Sequence, residues 1–237
     1  MFPLALLNAS SPSVDPSLTL ALLHFDGSNG STTFTDSSPH NHTSTIINGS
    51  PTISSTGAEV GFGNRGSFFS GAAISIQPNF SGEFDLGDSV FTDEIRFEIN
   101  SFGGYQGLIC DAATGALASY FLILDTDNSS KLTALFKTTS STYVIRHQTV
   151  PTLDTKHHAA VVRGADGYLD LYLDGIRAST RAFVGAESYQ QLTPTITLGV
   201  LGTGANYPLN GYIDEYRRRL EAVYTENFTP PTSPFTY

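Results

Sequence analysis

Lys156-His-His-Ala-Ala-Val-Val-Arg163, the turn Gly164-Ala-Asp-Gly167 and Tyr168-Leu-Asp-Leu-Tyr-Leu173 form the most legible stretch of the chain. Asp-Gly between two strand-like runs is a strong hairpin signal, because the turn needs positive φ and glycine tolerates it. In the returning run Leu169, Leu171 and Leu173 fall on one face, while Tyr168, Asp170 and Tyr172 fall on the other. That period of two marks a strand packed on one side. Asp174-Gly175 turns the chain again into residues 176–180. His157 and His158 open the first strand, so one is expected to face the core and the other the surface, both in structural roles.

Working outward, strands are expected at 20–25, 74–77, 91–99, 195–200 and 212–217. A second hairpin joins 120–124 to 132–136 through Asp125-Thr-Asp-Asn-Ser-Ser130. The Ser/Thr/Asn/His-rich stretch from 28 to about 52, including Pro39-His-Asn-His42, reads as exposed loop. Leu108-Ile-Cys110 reads as an apolar strand with a buried thiol. Short strands at turn-punctuated spacing, with no helical periodicity, predict an all-β class: a two-sheet antiparallel jelly-roll sandwich over residues 20–237. Residues 1–19 read as a separate extended N-terminal arm. Its apolar tip is Phe2, Leu4, Leu6 and Leu7, and Pro12 and Pro16 stiffen the linker.

Composition narrows the function. The 237 residues carry 22 acids against 12 bases, a net charge of −10, which repels phosphate backbones and argues against nucleic acid as a partner. The basic run Arg217-Arg-Arg219 is expected to be a solvated strand end beside acids. With one cysteine in the sequence, no intrachain disulfide can form. No run approaches the roughly 20 apolar residues of a membrane helix, so no membrane insertion is expected. The start of the chain lacks the basic segment of a signal peptide. The Asn-x-Ser/Thr sequons are read as products of composition rather than glycan sites.

Three strings in order resemble the laminin-G-like, concanavalin A-like jelly rolls of bacteriophage tail and virion proteins. They are Leu22-Leu-His-Phe-Asp-Gly27 with Phe34-Thr-Asp-Ser-Ser38, the central hairpin through Leu171-Tyr-Leu-Asp-Gly175, and Gly211-Tyr-Ile-Asp-Glu-Tyr-Arg217 with Tyr224-Thr-Glu-Asn-Phe228 and the Pro-rich tail. The resemblance covers about residues 20–237. It implies a virion surface protein, a capsid decoration or tail-fibre module, made in the host cytoplasm and exposed on the particle. It would be anchored to other virion proteins through the arm, be homo-oligomeric there, and bind host-surface glycans. The tryptophans usual in the family are missing, with Lys156 and Arg96 at their places, so sugar stacking must come from other rings.

Candidate chemistry follows from the strands. A glycan-binding face is expected from Tyr168, Asp170 and Tyr172 on one strand and Tyr212 and Asp214 on another, with rings stacking on sugars and acids bonding hydroxyls. Glu94-Ile-Arg-Phe-Glu98 has the spacing of a glucanase strand, but Arg96 stands where the middle acid would be. A Glu–Arg–Glu ladder holds both acids ionised, so no catalytic residues and no enzyme are expected, with a glycoside hydrolase as the alternative. Asp125, Asp127 and Asn128 resemble the front of a calcium loop without its glycine or closing glutamate, so a plain hairpin turn and no cofactor are expected, with calcium at these three residues as the alternative.

Overall fold

The computed structural model describes residues 15–111, 119–201 and 206–237, and they form two antiparallel sheets. The larger sheet runs in the order β13 (Ile176–Arg177), β12 (Tyr168–Leu173), β11 (Lys156–Arg163), β6 (Phe91–Ile99), β16 (Gly211–Arg219), β4 (Gly63–Phe68), β3 (Thr52–Glu59). Strand β1 (Thr19–Leu23) joins it beside β16, and β14 (Ala182–Phe183) beside β12. The smaller sheet runs β10 (Thr142–Arg146), β9 (Lys131–Lys137), β8 (Tyr120–Asp125), β7 (Gln106–Cys110), β15 (Ile196–Leu198), β5 (Ala73–Gln77), β2 (Thr43–Asn48). The sandwich is therefore the expected jelly roll. Its helical content among the described residues is two 3-10 turns, Pro16–Leu18 and Thr126–Asn128.

Alternation places the core. Phe91, Ile95, Phe97 and Ile99 of β6 and Leu169, Leu171 and Leu173 of β12 meet Leu122, Leu124, Leu132 and Phe136 of the smaller sheet in one apolar cluster. Cys110 is buried. Asp174 (φ 51°) and Gly175 (φ 76°) both take the left-handed region, as the Asp-Gly turn requires. A Cβ at Gly175 would also lie 1.8 Å from the carbonyl oxygen of Phe228, so the turn and the tail seated on it both need glycine.

Several expectations are corrected. The stretch to residue 52 is not all loop, since it contains β2; that strand is largely exposed at the sheet edge, so it carries little apolar alternation to read. His42 of the supposedly exposed loop is buried. Arg217, Arg218 and Arg219 are buried too, rather than solvated. Arg218 lies on the core side, 2.5 Å from Asp93, with its guanidinium near the Tyr120 ring. The two histidines of the central hairpin face opposite sides of the sheet, but both are buried. His157, packed against Phe97, bonds Asp174 at 2.7 Å, while His158 points outward but is covered. Thr19, placed in the arm by the sequence, is the first residue of β1. Phe2, Leu4, Leu6 and Leu7 lie outside the described residues.

The cover is the C-terminal tail, which straps the outer face of the larger sheet. Tyr224 and Phe228 stack at 3.6 Å and sit over Tyr172 and His158. The Phe228 amide donates to the Gly175 carbonyl, and the Phe235 amide donates to Glu215 at 2.9 Å.

Candidate functional site

Cross-strand register lays out the outer face of the larger sheet as rows. Ala160, Glu94 and Arg217 form one row, and Lys156, Glu98 and Tyr212 another. Between them stand His158, Arg96 and a bulge. Ile213 pairs with Phe97 and Tyr216 with Ile95, so Asp214 and Glu215 together oppose Arg96.

In the first row the tail closes over a network centred on Glu94, both of whose oxygens are satisfied. Glu94 is fully buried. It accepts from Arg217 Nε and Nη2, from Tyr224 Oη at 2.8 Å and contacts His158 Nε2 at 2.9 Å. Burial alone would raise the Glu94 pKa; the His158 hydrogen bond and the Arg217 charge outweigh it and hold the carboxyl below its ordinary value. The expected Glu–Arg–Glu ladder along one strand is thus replaced by three separate pairs with other strands. Glu94 pairs with Arg217, Arg96 with Glu59 at 2.7 Å, and Glu98 with Arg65 at 2.6 Å. Adjacent outward positions on a strand project side by side, and the longer reach across the sheet wins.

The Glu98 row is not covered by the tail's rings and forms a narrow cleft of about 10 Å³, with Glu59, Arg65, Arg96 and Asp214 on its walls. Asp214 is its unusual member. The residue is buried, yet neither carboxyl oxygen has a hydrogen-bond partner. Burial, then the adjacent Glu215 charge, push its pKa up to about 8, against the pull of Arg96 and Lys156. At neutral pH Asp214 is therefore mostly a carboxylic acid, able to donate one hydrogen bond and accept others. Tyr212 lines the same cleft, but Arg65 lies 3.5 Å from its ring centre and Phe69 meets it edge-on.

The structure splits the five expected glycan-binding residues. Tyr212 and Asp214 share the cleft. Tyr172 is fully buried beneath Tyr224 and Phe228, and Asp170 is buried and bound by both Arg181 nitrogens. Tyr168 carries the Arg181 guanidinium over its ring. Lys156, Arg65 and Glu59 were missed by sequence reasoning. The signal for a cleft was present in Ile213-Asp-Glu-Tyr216, where two consecutive acids break the period of two, as a bulge does.

Of the expected calcium residues, Asp125 accepts from Asn128 at 2.7 Å and from Arg146 at 3.2 Å, while Asp127 accepts from the Tyr105 hydroxyl. Arginine thus already supplies the positive charge at Asp125. A wider depression beside Ser101 and Asn210 holds side-chain amides that donate to backbone carbonyls: Gln106 to Ser101 and Asn48 to Gly71, both at 2.6 Å.

Residues 82–218, more than half of the chain, match the sequence model of the Concanavalin A-like lectin/glucanases superfamily. No curated protein matches the chain. Among solved structures it is similar to the receptor binding domain of botulinum neurotoxin D, at 12% identity and TM-score 0.63, over 88% of this chain and 50% of that one. It is also similar to the serotype G binding domain, at 7% identity and TM-score 0.63, over 87% of this chain and 48% of that one. A third, the binding domain of botulinum neurotoxin DC in complex with SialylT, gives 12% identity and TM-score 0.63 over 88% of this chain and 49% of that one. The chain spans about half the length of these structures, and likeness at such identity establishes the fold alone.

Proposed function

Since the chain belongs to the Concanavalin A-like lectin/glucanases superfamily, we propose that it is a non-enzymatic carbohydrate-binding module whose cleft at Asp214 holds the sugar. One observation carries this reading: the two unpartnered oxygens of buried Asp214. A buried polar group without a hydrogen bond costs about 1–3 kcal/mol. Vicinal hydroxyls can both donate to and accept from a neutral carboxyl, and would remove that cost. Lys156 and Arg96 beside it supply further donors. With Arg65 over Tyr212, ring stacking contributes little, so binding is expected to be weak. Glycan-array hits that vanish in Asp214→Ala, which removes both the donor and the acceptor, would support the reading; hits unchanged by that substitution, or none at all, would count against it.

A hydrolase reading has one observation in its favour. A protonated acid, Asp214, shares a cleft with Glu98 and Glu59, the pairing of states that acid–base catalysis uses. Both glutamates are however hydrogen-bonded to arginine, which occupies an oxygen that a nucleophile or base would use. Oligosaccharide cleavage that disappears in Glu98→Gln would overturn the non-enzymatic reading.

The resemblance of Leu22–Gly27 and the closing strand to phage proteins supports display on a virion, with the arm docking Phe2, Leu4, Leu6 and Leu7 into other virion proteins and copies assembling there. Each large apolar side chain so buried could contribute about 1.5–3 kcal/mol. Deleting residues 2–14, which spares the described fold, should leave the melting temperature unchanged and abolish incorporation into particles. A large fall in melting temperature with incorporation intact would contradict it.

A further inference from the structure

The loop between β1 and β2 meets the segment between β5 and β6 around three side chains that could hold a metal: His40, His42 and Glu83. One donor atom from each lies within 4.8 Å of the others, and this is the one such group among the described residues. The protonation pattern around His42 is decisive. Its Nδ1 lies 2.7 Å from Asp36 Oδ2. That carboxylate is itself fixed, accepting from the amides of Leu22, Ser38 and His42 and from the Ser38 hydroxyl. Nδ1 therefore carries the proton, and Nε2 of a neutral ring presents a bare lone pair.

That lone pair sits close to another. Nε2 is fully buried and lies 3.0 Å from Glu83 Oε2, an approach that is not a directed hydrogen bond. Glu83 Oε2 is already held by the Asn79 amide at 2.6 Å, and Oε1 by His40 Nδ1 at 2.8 Å. Two lone pairs this close repel unless a cation neutralises the contact, either a proton on the ring or a metal ion. The His40 ring stacks beside that of His42, 5.5 Å between centres and 6° from parallel, and its own Nε2 is buried without a partner. Phe84 packs on His42 from within, 4.7 Å between ring centres.

We infer that His40, His42 and Glu83 form a binding site for a borderline divalent transition metal, zinc foremost, that clips the 36–42 loop to the 79–83 segment. Two imidazoles and one carboxylate are a recognised zinc donor set with the fourth position left to water. Asp36 would be the positioning residue behind His42, the outer carboxylate that fixes tautomer and ring direction at such sites. Bonds of about 2.0–2.1 Å keep donor atoms within roughly 4 Å of one another, so the site closes by a small rotation of His40, its partly exposed member. A single-cysteine chain has no disulfide with which to make this cross-link.

The test uses the full chain, stripped with chelator and then titrated with zinc chloride or, for its visible spectrum, cobalt(II). Expected are one ion per chain, ligand-field bands of low-coordinate cobalt, and a zinc-dependent rise in melting temperature. His40→Ala, which removes a partly exposed ring, should leave the metal-free fold unchanged and weaken zinc binding by at least ~10-fold. Glu83→Gln should do the same if it folds. Absence of binding to the folded wild type would overturn the inference and leave a proton between His42 and Glu83. Unchanged affinity in His40→Ala would overturn it by placing the metal elsewhere.

Discussion

Two neighbouring regions of one sheet face have opposite fates. The row Ala160–Glu94–Arg217 and the row Lys156–Glu98–Tyr212 stand on the same three strands, β11, β6 and β16. Over the first lies the tail, and every atom of Glu94 that can accept a hydrogen bond does so. The second is open, and at its margin Asp214 is buried with both oxygens unpartnered. The bulge at Asp214-Glu215 separates the two. Glu215 turns to the covered side, bonding His24 and the Phe235 amide, while Asp214 turns to the open one. A buried acid given partners is a fastener; a buried acid denied them carries the cost of its missing hydrogen bonds.

The largest effect is expected on the covered side. Glu94→Ala would strand Arg217 and His158 in a closed interior and should cost about 3–5 kcal/mol, measured by urea unfolding. A loss below about 1 kcal/mol would mean that the covered network is not structural. Phe228→Ala, which uncovers Tyr172 and His158, should cost about 2 kcal/mol, less than a fully buried ring because Phe228 is half-exposed. Neither substitution should alter which ligands the open cleft selects.

Asp214→Asn should have the opposite sign. The folded pKa of Asp214 is raised to about 8 from an ordinary 3.8, so between those values the unfolded chain is ionised while the folded one holds the proton. Ionisation then favours unfolding, and the wild type loses stability as pH rises from about 4 to about 8. Asparagine removes that dependence. The variant should match the wild type near pH 4 and become progressively more stable than it as pH rises to 8. A constant difference across that range would show that Asp214 titrates normally. Smallest of all, Tyr172→Phe should change stability by less than about 1 kcal/mol and leave ligand binding untouched, since the ring and not the hydroxyl packs under the tail.

The same contrast explains what the sequence reveals. Strands with one apolar face are legible: 91–99 and 168–173 coincide with Phe91–Ile99 and Tyr168–Leu173. Edge strands such as Thr43–Asn48 and Thr142–Arg146 are largely exposed and leave no alternation to find. Of the candidate site, the residues of the closing strand, Tyr212 and Asp214, reach the open cleft. Tyr168, Asp170 and Tyr172 do not, because alternation assigns a face but says nothing of what a distant segment lays over it. The tail that buries Tyr172 comes from more than fifty residues downstream. Likewise Asp36 and Glu83, far apart in the chain, meet at His42 only after folding.

The most direct test follows the backbone amides of nitrogen-labelled protein by two-dimensional NMR during titration with an oligosaccharide selected on a glycan array. The account predicts shifts concentrated at Lys156, Glu98, Tyr212 and Asp214, with Asp170 and Tyr172 unmoved. Shifts centred on Asp170 and Tyr172, or a bound sugar that leaves Asp214 undisturbed, would contradict it.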